Sequence, residues 1–220
     1  MEHETPRLRL FNGLPRGRVP DDQPLILASG SPRRAQLMTS AGYRFSVTPP
    51  ADGAECGICS RETAPQMVAR LAYQKAADVA ARQRGPLVLA ADTLASCLGQ
   101  ILGKPANRRH AEEMLRLLSG RRHSVFTGVC LWDTTTDRRL VDVSHTELMM
   151  QPLNEPTLQN YLESMRWEGK AGAFGYQDGN DWIEVLNGGS ESNVVGLPME
   201  RLAELLNRFD ELADLQITVG

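Results

Sequence analysis

Residues 25–34 constrain the fold of this chain more than any other short stretch. The apolar run 25–28 is followed by Ser29, Gly30 and Ser31, then by a proline, two arginines and a helical pattern. This order predicts a strand that passes through a tight loop into a helix. The rest of the chain must therefore supply further strands for a sheet and helices that cover it.

The same loop is a candidate anion site. Small residues let backbone N–H groups approach a ligand closely, and the N–H groups of the first helical turn have no partner within the helix. Pro32 suits the first helical position, and Arg33 and Arg34 carry guanidinium groups that match phosphate oxygens. The loop is neither a Walker A loop nor a G-x-G-x-x-G motif. An ordinary strand–helix junction with arginines in solvent remains the alternative at this point.

Composition excludes several classes of protein. The chain has 220 residues, of which 41% are hydrophobic and 23% charged, and its net charge is −3. No apolar run approaches the ~20 residues of a transmembrane helix, and residues 1–5 are not followed by the apolar segment of a signal peptide. Net acidity argues against binding nucleic acid by bulk charge. We expect a cytoplasmic protein whose partners include neither a membrane nor a nucleic acid.

The four cysteines do not form a disulfide scaffold at this chain length. Cys97 and Cys130 lie in apolar, strand-like runs and are expected in the core. Cys56 and Cys59 form a C-x-x-C pair, but no second pair or suitably spaced histidines complete a zinc site. A loop without metal or redox chemistry is the favoured interpretation, and such chemistry is the alternative.

Lysine is rare, since the chain has 21 arginines and three lysines. A chain with this bias is expected to keep lysine mainly where a guanidinium cannot replace a compact ammonium. Lys75, Lys104 and Lys170 are therefore candidate functional residues, with chance retention as the alternative for each.

Alternating strand and helix patterns predict a mixed α/β domain at residues 24–212, with an extension at 1–23 that is flexible or lies on the surface and a tail at 213–220. The predicted strands are 24–28, 44–48, 87–91, 101–102, 123–132, 139–150 and 181–186. The first and last predicted helices are 33–41 and 198–212. Three further helices are predicted between them: one capped by Thr63 that runs to about residue 84, one capped by Asn107 that runs to residue 118, and one capped by Asn154 that runs to about residue 165. Residues 188–193 are predicted as a loop.

Asp92 and Thr93 follow the run 87–91, which is typical of a strand buried on both faces. Ligands of open α/β sheets bind beyond the carboxyl ends of strands, where we expect Asp92, the Ser29 loop and Lys104 to meet. A carboxylate there can hold a divalent metal, orient a water molecule or accept its proton. Arginines and lysines facing it suit a metal-bound phosphate ester, whereas a loop-capping aspartate is the alternative.

Several motifs together resemble the Maf family of nucleoside triphosphate pyrophosphatases, also called septum-formation inhibitors. The resemblance runs from about residue 24 to residue 209, while residues 1–23, 51–61 and 94–97 depart from the family pattern. The motifs are Ala-Ser-Gly-Ser-Pro-Arg-Arg at 28–34, Ala-Asp-Thr at 91–93, Gly-Lys-Pro at 103–105, Ser-Gly at 119–120 with Thr-Gly-Val at 127–129, and the segments 169–177 and 193–198.

The resemblance implies an elongated mixed α/β fold with two lobes around a cleft, similar to that of inosine triphosphate pyrophosphatases, and often a homodimer. It implies an enzyme that cleaves a nucleoside triphosphate between the α and β phosphates with Mg²⁺ or Mn²⁺. Asp92 falls on the catalytic and metal-binding position and Glu55 on a second acidic metal-binding position. The implied substrate-binding residues are Ser29, Arg33, Arg34, Lys75, Thr93, Lys104 and Gln177, of which Arg33, Thr93 and Gln177 are linked to substrate choice.

The segment 169–177, Gly-Lys-Ala-Gly-Ala-Phe-Gly-Tyr-Gln, resembles the family branch that acts on dTTP and UTP. It lacks the Ser-Phe-Lys-Ser-Glu-like stretch of the branch for 7-methyl-GTP. Gln177 offers a donor and an acceptor to a pyrimidine edge. Modified pyrimidine nucleotides are further candidate substrates. The alternatives are a 7-methyl-GTP pyrophosphatase and a nucleotide-binding regulator of cell division; a kinase or GTPase is disfavoured, because no Walker A lysine loop is present.

Overall fold

The computed structural model describes residues 11–20, 23–54 and 61–217, with side chains up to residue 209. The strands in these ranges are β1 (Leu25–Leu27), β2 (Ser46–Val47), β3 (Leu87–Cys97), β4 (Gln100–Leu102), β5 (Arg122–Asp133), β6 (Arg139–Met150) and β7 (Ile183–Val185). The helices are α1 (Pro32–Ser40), α2 (Ala64–Ala80), α3 (Arg108–Leu118), α4 (Glu155–Glu163), α5 (Glu191–Val195) and α6 (Met199–Ile217). The predicted mixed α/β class is confirmed.

A single mixed sheet lies at the centre, in the order β2-β1-β3-β5-β6-β7, with β4 paired to the end of β3. β1 is parallel to both of its neighbours, whereas β3, β5, β6 and β7 run antiparallel in turn. In the long β3–β5 pair, Asp92 lies opposite Gly128 and Thr93 lies opposite Thr127. This register places Asp92 and Thr93 in the middle of the sheet.

The two faces of β3 enter two apolar layers, because successive side chains of a strand point to opposite faces. Leu87 and Leu89 pack in the larger layer, to which α1, α3, α4 and α6 contribute. Val88 and Ala90 pack in the smaller layer, against alanines and a valine of α2. A strand covered on both sides explains the continuous apolar run in the sequence.

Asp92 and Thr93 do not follow the end of a strand, and this prediction is wrong. β3 continues to Cys97 and pairs with β5 through Asp92 and Thr93, and with β4 further on. The strand can continue because other elements satisfy the two polar side chains: Lys75 donates to Asp92, and the hydroxyls of Thr93 and Thr127 lie 2.9 Å apart. The sequence around Asp92 does not contain these partners.

The predicted loop at 188–193 is confirmed for residues 188–190 and wrong for residues 191–193, because α5 begins at Glu191. The Ser190 hydroxyl caps α5 by accepting the Asn193 N–H at 3.0 Å. The Asn193 amide group then donates to the Val125 carbonyl and to the Thr146 hydroxyl. Contacts to β5 and β6 thus order a glycine- and serine-rich stretch that looks like a loop in isolation.

The predicted helix caps are confirmed. The side chains of Asn107 and Asn154 accept backbone N–H groups at the starts of α3 and α4, and Thr63 forms a capping box with Gln66. Strands β2 and β7 are shorter than predicted and α6 is longer. The α2 helix ends at Ala80, before the predicted boundary near residue 84.

Residues 11–20 of the N-terminal extension lie against the domain. The Gly17 N–H donates to Tyr43 Oη and the Arg18 N–H to Asn207 Oδ1, each at 2.8 Å. Three apolar side chains of this segment pack on the larger apolar layer. Residues 1–10 and 21–22 lie outside the described residues.

Cys97 and Cys130 are buried, as predicted. Burial raises the pKa of the Cys130 thiol to about 12, which keeps it protonated. The Cys56–Cys59 pair lies outside the described residues. Among the helices that are described, none is long and apolar enough to cross a membrane.

Candidate active site

A cavity of about 480 Å³ collects the predicted site residues that the structure describes. Lys170 lines it as well, so all three lysines of the chain face one cavity. Glu55, the other predicted site residue, lies outside the described ranges. The predicted residues in the cavity wall are Ser29, Arg33, Arg34, Lys75, Asp92, Thr93, Lys104 and Gln177.

Asp92 of β3 and Lys75 of α2 form a buried ion pair in this cavity. Lys75 Nζ lies 2.5 Å from Asp92 Oδ1, and the two side chains are only 8% and 12% exposed. A carboxylate so far removed from water requires a cation close by. The pair therefore places a charged acid in a largely dry site, where it acts more strongly than in water.

Gly128 explains how Lys75 reaches Asp92. A Cβ atom at Gly128 would lie 2.2 Å from the Val68 carbonyl oxygen, so only glycine lets α2 approach β5 this closely. Val68 and Lys75 are seven residues apart and share one face of the helix. Because Gly128 lies opposite Asp92 in the sheet, the contact that seats Val68 also brings Lys75 to the carboxylate.

Arg34 joins three parts of the cavity wall. Its Nε donates to the Gly196 carbonyl at 2.7 Å, its Nη1 to Ser29 Oγ at 3.1 Å and its Nη2 to Thr93 Oγ1 at 3.1 Å. The Thr127 hydroxyl, next to that of Thr93, donates to the Asn193 carbonyl. The β1–α1 loop, β3 and α5 are thereby fixed to one another around a buried guanidinium.

Arg33 connects the first turn of α1 with the segment 168–178. Its Nη2 donates to the Gly169 carbonyl at 3.0 Å. Burial lowers the pKa of Arg33, and the nearby carboxylate of Asp178 opposes that shift. The guanidinium remains charged, because its ordinary pKa is far above neutral pH. The α1 wall and the glycine-rich wall of the cavity are therefore held together at this point.

The glycine-rich wall contains several residues that the motifs do not single out. Two short 3₁₀ turns, Ala171–Ala173 and Tyr176–Asp178, present Lys170, Phe174 and Gln177 to the cavity. The rarity of lysine identifies Lys170 in the sequence. No sequence signal identifies its partner Asp178, because that contact depends on how the segment folds. Glu168, Ala171, Val194, Val195 and Gly196 complete this side.

The donor set suits a divalent cation that is shared with a phosphate ligand. Within the described ranges, no three His, Cys, Asp or Glu residues cluster as a protein cage for a metal ion. Mg²⁺ in phosphate-processing sites takes only one or two carboxylates and completes its coordination with phosphate oxygens and water. Asp92 supplies one such carboxylate at the cavity wall. Five cationic side chains line the same cavity: Arg33, Arg34, Lys75, Lys104 and Lys170.

Comparison with known proteins agrees with this arrangement. A protein of Rhodopirellula baltica named dTTP/UTP pyrophosphatase is 66% identical over 209 residues, covering 93% of this chain and 92% of its own. Proteins of the same name from Salmonella typhimurium and Geotalea uraniireducens are 43% and 39% identical over 194 and 185 residues, covering 86% and 84% of this chain and 95% and 94% of theirs.

Among solved structures, that of a HAM1 protein from Coxiella burnetii is similar over 84% of this chain and 99% of its own, with 17% identity and a TM-score of 0.44. The family profile described as "Maf-like protein" matches residues 24–209. That match spans the whole sheet, the cavity wall and most of the helices, and it includes every motif quoted above. The chain belongs to the Maf family.

Proposed function

We propose that this chain is a nucleoside triphosphate pyrophosphatase that hydrolyses dTTP and UTP, or modified pyrimidine nucleotides, to the monophosphate and pyrophosphate. The observation that carries the proposal is the buried Lys75–Asp92 pair in a cavity lined by five cationic side chains. The relatives at 39–66% identity bear the name of this activity. A triphosphate supplies the negative charge that so many cations require.

Binding of the triphosphate follows from the α1 wall. The first turn of α1 lies at the positive end of the helix dipole, and Arg33 extends from the same turn. Lys104, which follows β4, and Lys75 of α2 add compact positive charges to the cavity. Together they neutralise the phosphates and fix their orientation, and most catalysis of phosphoryl transfer is of this kind.

Hydrolysis forms a bond between the water oxygen and the α-phosphorus and breaks the bond from that phosphorus to the bridging oxygen of the β-phosphate. The attacking water loses a proton to solvent in this step. Asp92 orients the attacking water by accepting its hydrogen bond. Lys75 holds the Asp92 carboxylate in place through the ion pair, and the lysines stabilise charge as pyrophosphate departs. Asp92 and, by the family resemblance, Glu55 would hold a divalent cation. When bound, Mg²⁺ or Mn²⁺ would supply Lewis-acid stabilisation of charge on phosphate oxygens.

The nucleobase fits the glycine-rich wall. Phe174 and Ala171 supply apolar surface, and Gln177 supplies an amide that can pair with a pyrimidine edge. The proposal also includes a homodimer, which the family resemblance supports, and a cytoplasmic location, which the composition of the sequence supports. Size-exclusion chromatography with light scattering tests the first, and a tagged chain imaged in cells tests the second.

The test is release of pyrophosphate from a panel of UTP, dTTP, CTP, GTP and 7-methyl-GTP, with Mg²⁺, with Mn²⁺ and with EDTA. We expect kcat/KM for UTP and dTTP to exceed that for 7-methyl-GTP by about 10-fold or more, since a site built to hydrogen-bond one base rejects others strongly. EDTA should abolish turnover. Preference for 7-methyl-GTP would assign the chain to the other branch, and tight binding of UTP without turnover would favour a regulator.

A further inference from the structure

A second buried ion pair lies within the glycine-rich wall. Lys170 Nζ lies 2.6 Å from Asp178 Oδ1 and 2.5 Å from Oδ2, and the side chains are 11% and 8% exposed. Tyr161 of α4 donates its hydroxyl to Asp178 Oδ2 at 2.9 Å. The same hydroxyl accepts the Gly175 N–H at 3.1 Å. The Asp178 carboxylate thus binds Lys170 at the other end of the segment, and the Tyr161 hydroxyl binds both Asp178 and the backbone of Gly175 in the middle.

The segment is folded tightly around this pair. A Cβ atom on Gly175 would lie 2.4 Å from both Lys170 Nζ and Asp178 Oδ2. The Gly175 carbonyl accepts from the Asn180 amide at 3.2 Å, and the Gly172 N–H donates to the Gly103 carbonyl at 3.0 Å. The turn that ends in Asp178 also carries Gln177. The position of Gln177 in the cavity therefore depends on the same carboxylate.

Asp178 also affects the pKa of Lys170. Burial lowers the pKa of Lys170, Asp178 opposes this shift, and Arg33 and Arg166 add to it. An ammonium has three N–H donors and no acceptor. Two of them face the oxygens of Asp178, which leaves one for a ligand in the cavity that Lys170 lines.

The chemistry of the base explains why such a donor would be useful. Uracil and thymine carry a carbonyl oxygen at C4, which accepts a hydrogen bond, whereas cytosine carries an amino group there. A fixed ammonium favours the carbonyl and repels the amino group. Gln177 cannot discriminate as sharply alone, since its amide can turn over and present either its donor or its acceptor.

We propose that Asp178 and Tyr161 are positioning residues that hold Lys170 and Gln177 for discrimination between 4-oxo pyrimidines and cytosine. Lys170 contacts the nucleobase, and Asp178 and Tyr161 act through it and through the turn that carries Gln177. The inference rests on the proposed function, because it assigns the glycine-rich wall to the base of a pyrimidine triphosphate.

The test compares kcat/KM for UTP and CTP in Asp178→Asn and Tyr161→Phe with the wild type. In Asp178→Asn we expect the UTP/CTP ratio to fall by about 10-fold or more, mainly through a higher KM for UTP, since one oriented charged hydrogen bond is worth about that factor. Tyr161→Phe should lower the ratio by about 3-fold. Inhibition by pyrophosphate, which binds at the α1 wall, should change by less than about 2-fold.

Two variants outside the cavity are matched controls. Tyr43→Phe matches Tyr161→Phe, because the Tyr43 hydroxyl likewise accepts a backbone N–H. Asp133→Asn matches Asp178→Asn, because the Asp133 carboxylate is likewise buried and accepts several hydrogen bonds. Both should keep the wild-type UTP/CTP ratio. An unchanged ratio in Asp178→Asn, with only the loss of stability that Asp133→Asn shows, would overturn the inference.

Lys170→Met provides a second route in case Asp178→Asn does not fold. It should lower the ratio on its own. Adding Asp178→Asn to Lys170→Met should lower the ratio further by less than Asp178→Asn does in the wild type, because both changes remove the Lys170 contact and only the effect through Gln177 is left. Additive effects would contradict action through Lys170. If the wild type releases no pyrophosphate from UTP or dTTP, the proposed function fails; if it does and the ratio survives these changes, only the present inference fails.

Discussion

At the scale of single residues, the two arginines of the first motif have different surroundings. Arg34 is buried, and its three nitrogens donate to acceptors from the β1–α1 loop, β3 and the end of α5. Arg33 has one such bond, to the Gly169 carbonyl, and more contact with solvent. Arg34 thus builds the frame of the site, whereas Arg33 and the lysines are better placed to meet a ligand.

Arg34→Lys should therefore be costly although it keeps the charge. A lysine has no planar fork, so it cannot bond to Gly196, Ser29 and Thr93 at once. We expect the free energy of unfolding to fall by about 1–3 kcal/mol and kcat/KM for UTP by about 10-fold or more. Urea unfolding and pyrophosphate release measure the two effects. Arg109→Lys, at an exposed helix position, is the control; wild-type stability and activity in Arg34→Lys would contradict this role.

At the scale of elements, the seating of α2 on the sheet determines the geometry of the site. The approach depends on Gly128 of β5, where a Cβ would collide with the backbone of Val68 and Ala69. Backbone atoms inside a helix cannot move aside as a flexible side chain can. The helix as a whole would have to shift, and Lys75 would move with it.

Gly128→Ala should lower both stability and activity. Forced expansion of a packed contact costs about 1–3 kcal/mol, and more where backbone is displaced. We expect a lower midpoint of urea unfolding and a lower kcat, because Lys75 Nζ would retreat from Asp92. Gly30→Ala, where a Cβ meets nothing within 4 Å, is the control for stability. An unchanged midpoint in Gly128→Ala would show that α2 is not seated so closely.

The sequence predicts elements well where the signal is local. Caps such as Asn107 and Asn154 and the apolar run of β3 identify most helices and strands, and the family resemblance identifies eight of the described cavity residues. The sequence does not predict the structure where contacts with residues far away in the chain determine it. The continuation of β3 past Asp92 requires Lys75 from another element, and α5 requires the contacts of Asn193 with β5 and β6. The partnership of Lys170 with Asp178 is likewise invisible in the sequence.

At the scale of the whole molecule, the interior contains a histidine that resists protonation. His123 of β5 is 4% exposed, its ring makes a T-shaped contact with that of Phe174, and its Nδ1 lies 3.3 Å from the Arg121 carbonyl. Its Nε2 has no partner among the described atoms. Burial lowers the pKa of His123 to about 4, against an ordinary value near 6.5.

Global stability should therefore fall in acid. Below about pH 6.5 the unfolded chain binds a proton at His123, whereas the folded chain binds one there only near pH 4. The free energy of unfolding therefore decreases as the pH falls through this window, and the loss reaches about 2 kcal/mol by pH 5. Urea unfolding at pH 7.5 and pH 5 measures this loss. Between the two pH values, the free energy of unfolding should decrease less in His123→Phe than in the wild type, by about this amount. The contribution of Asp133 is the same in both proteins and cancels. Equal drops in the two proteins would mean that His123 is protonated in the fold.

The most direct test of the central claim is pyrophosphate release from UTP by Asp92→Asn, measured beside the wild type and Asp133→Asn. The claim is that the carboxylate held by Lys75 in the cationic cavity carries the hydrolysis. We expect Asp92→Asn to bind UTP and remain folded but to lose about 10³-fold or more in kcat, while Asp133→Asn stays near the wild type. Turnover by Asp92→Asn within a few-fold of the wild type would contradict the claim.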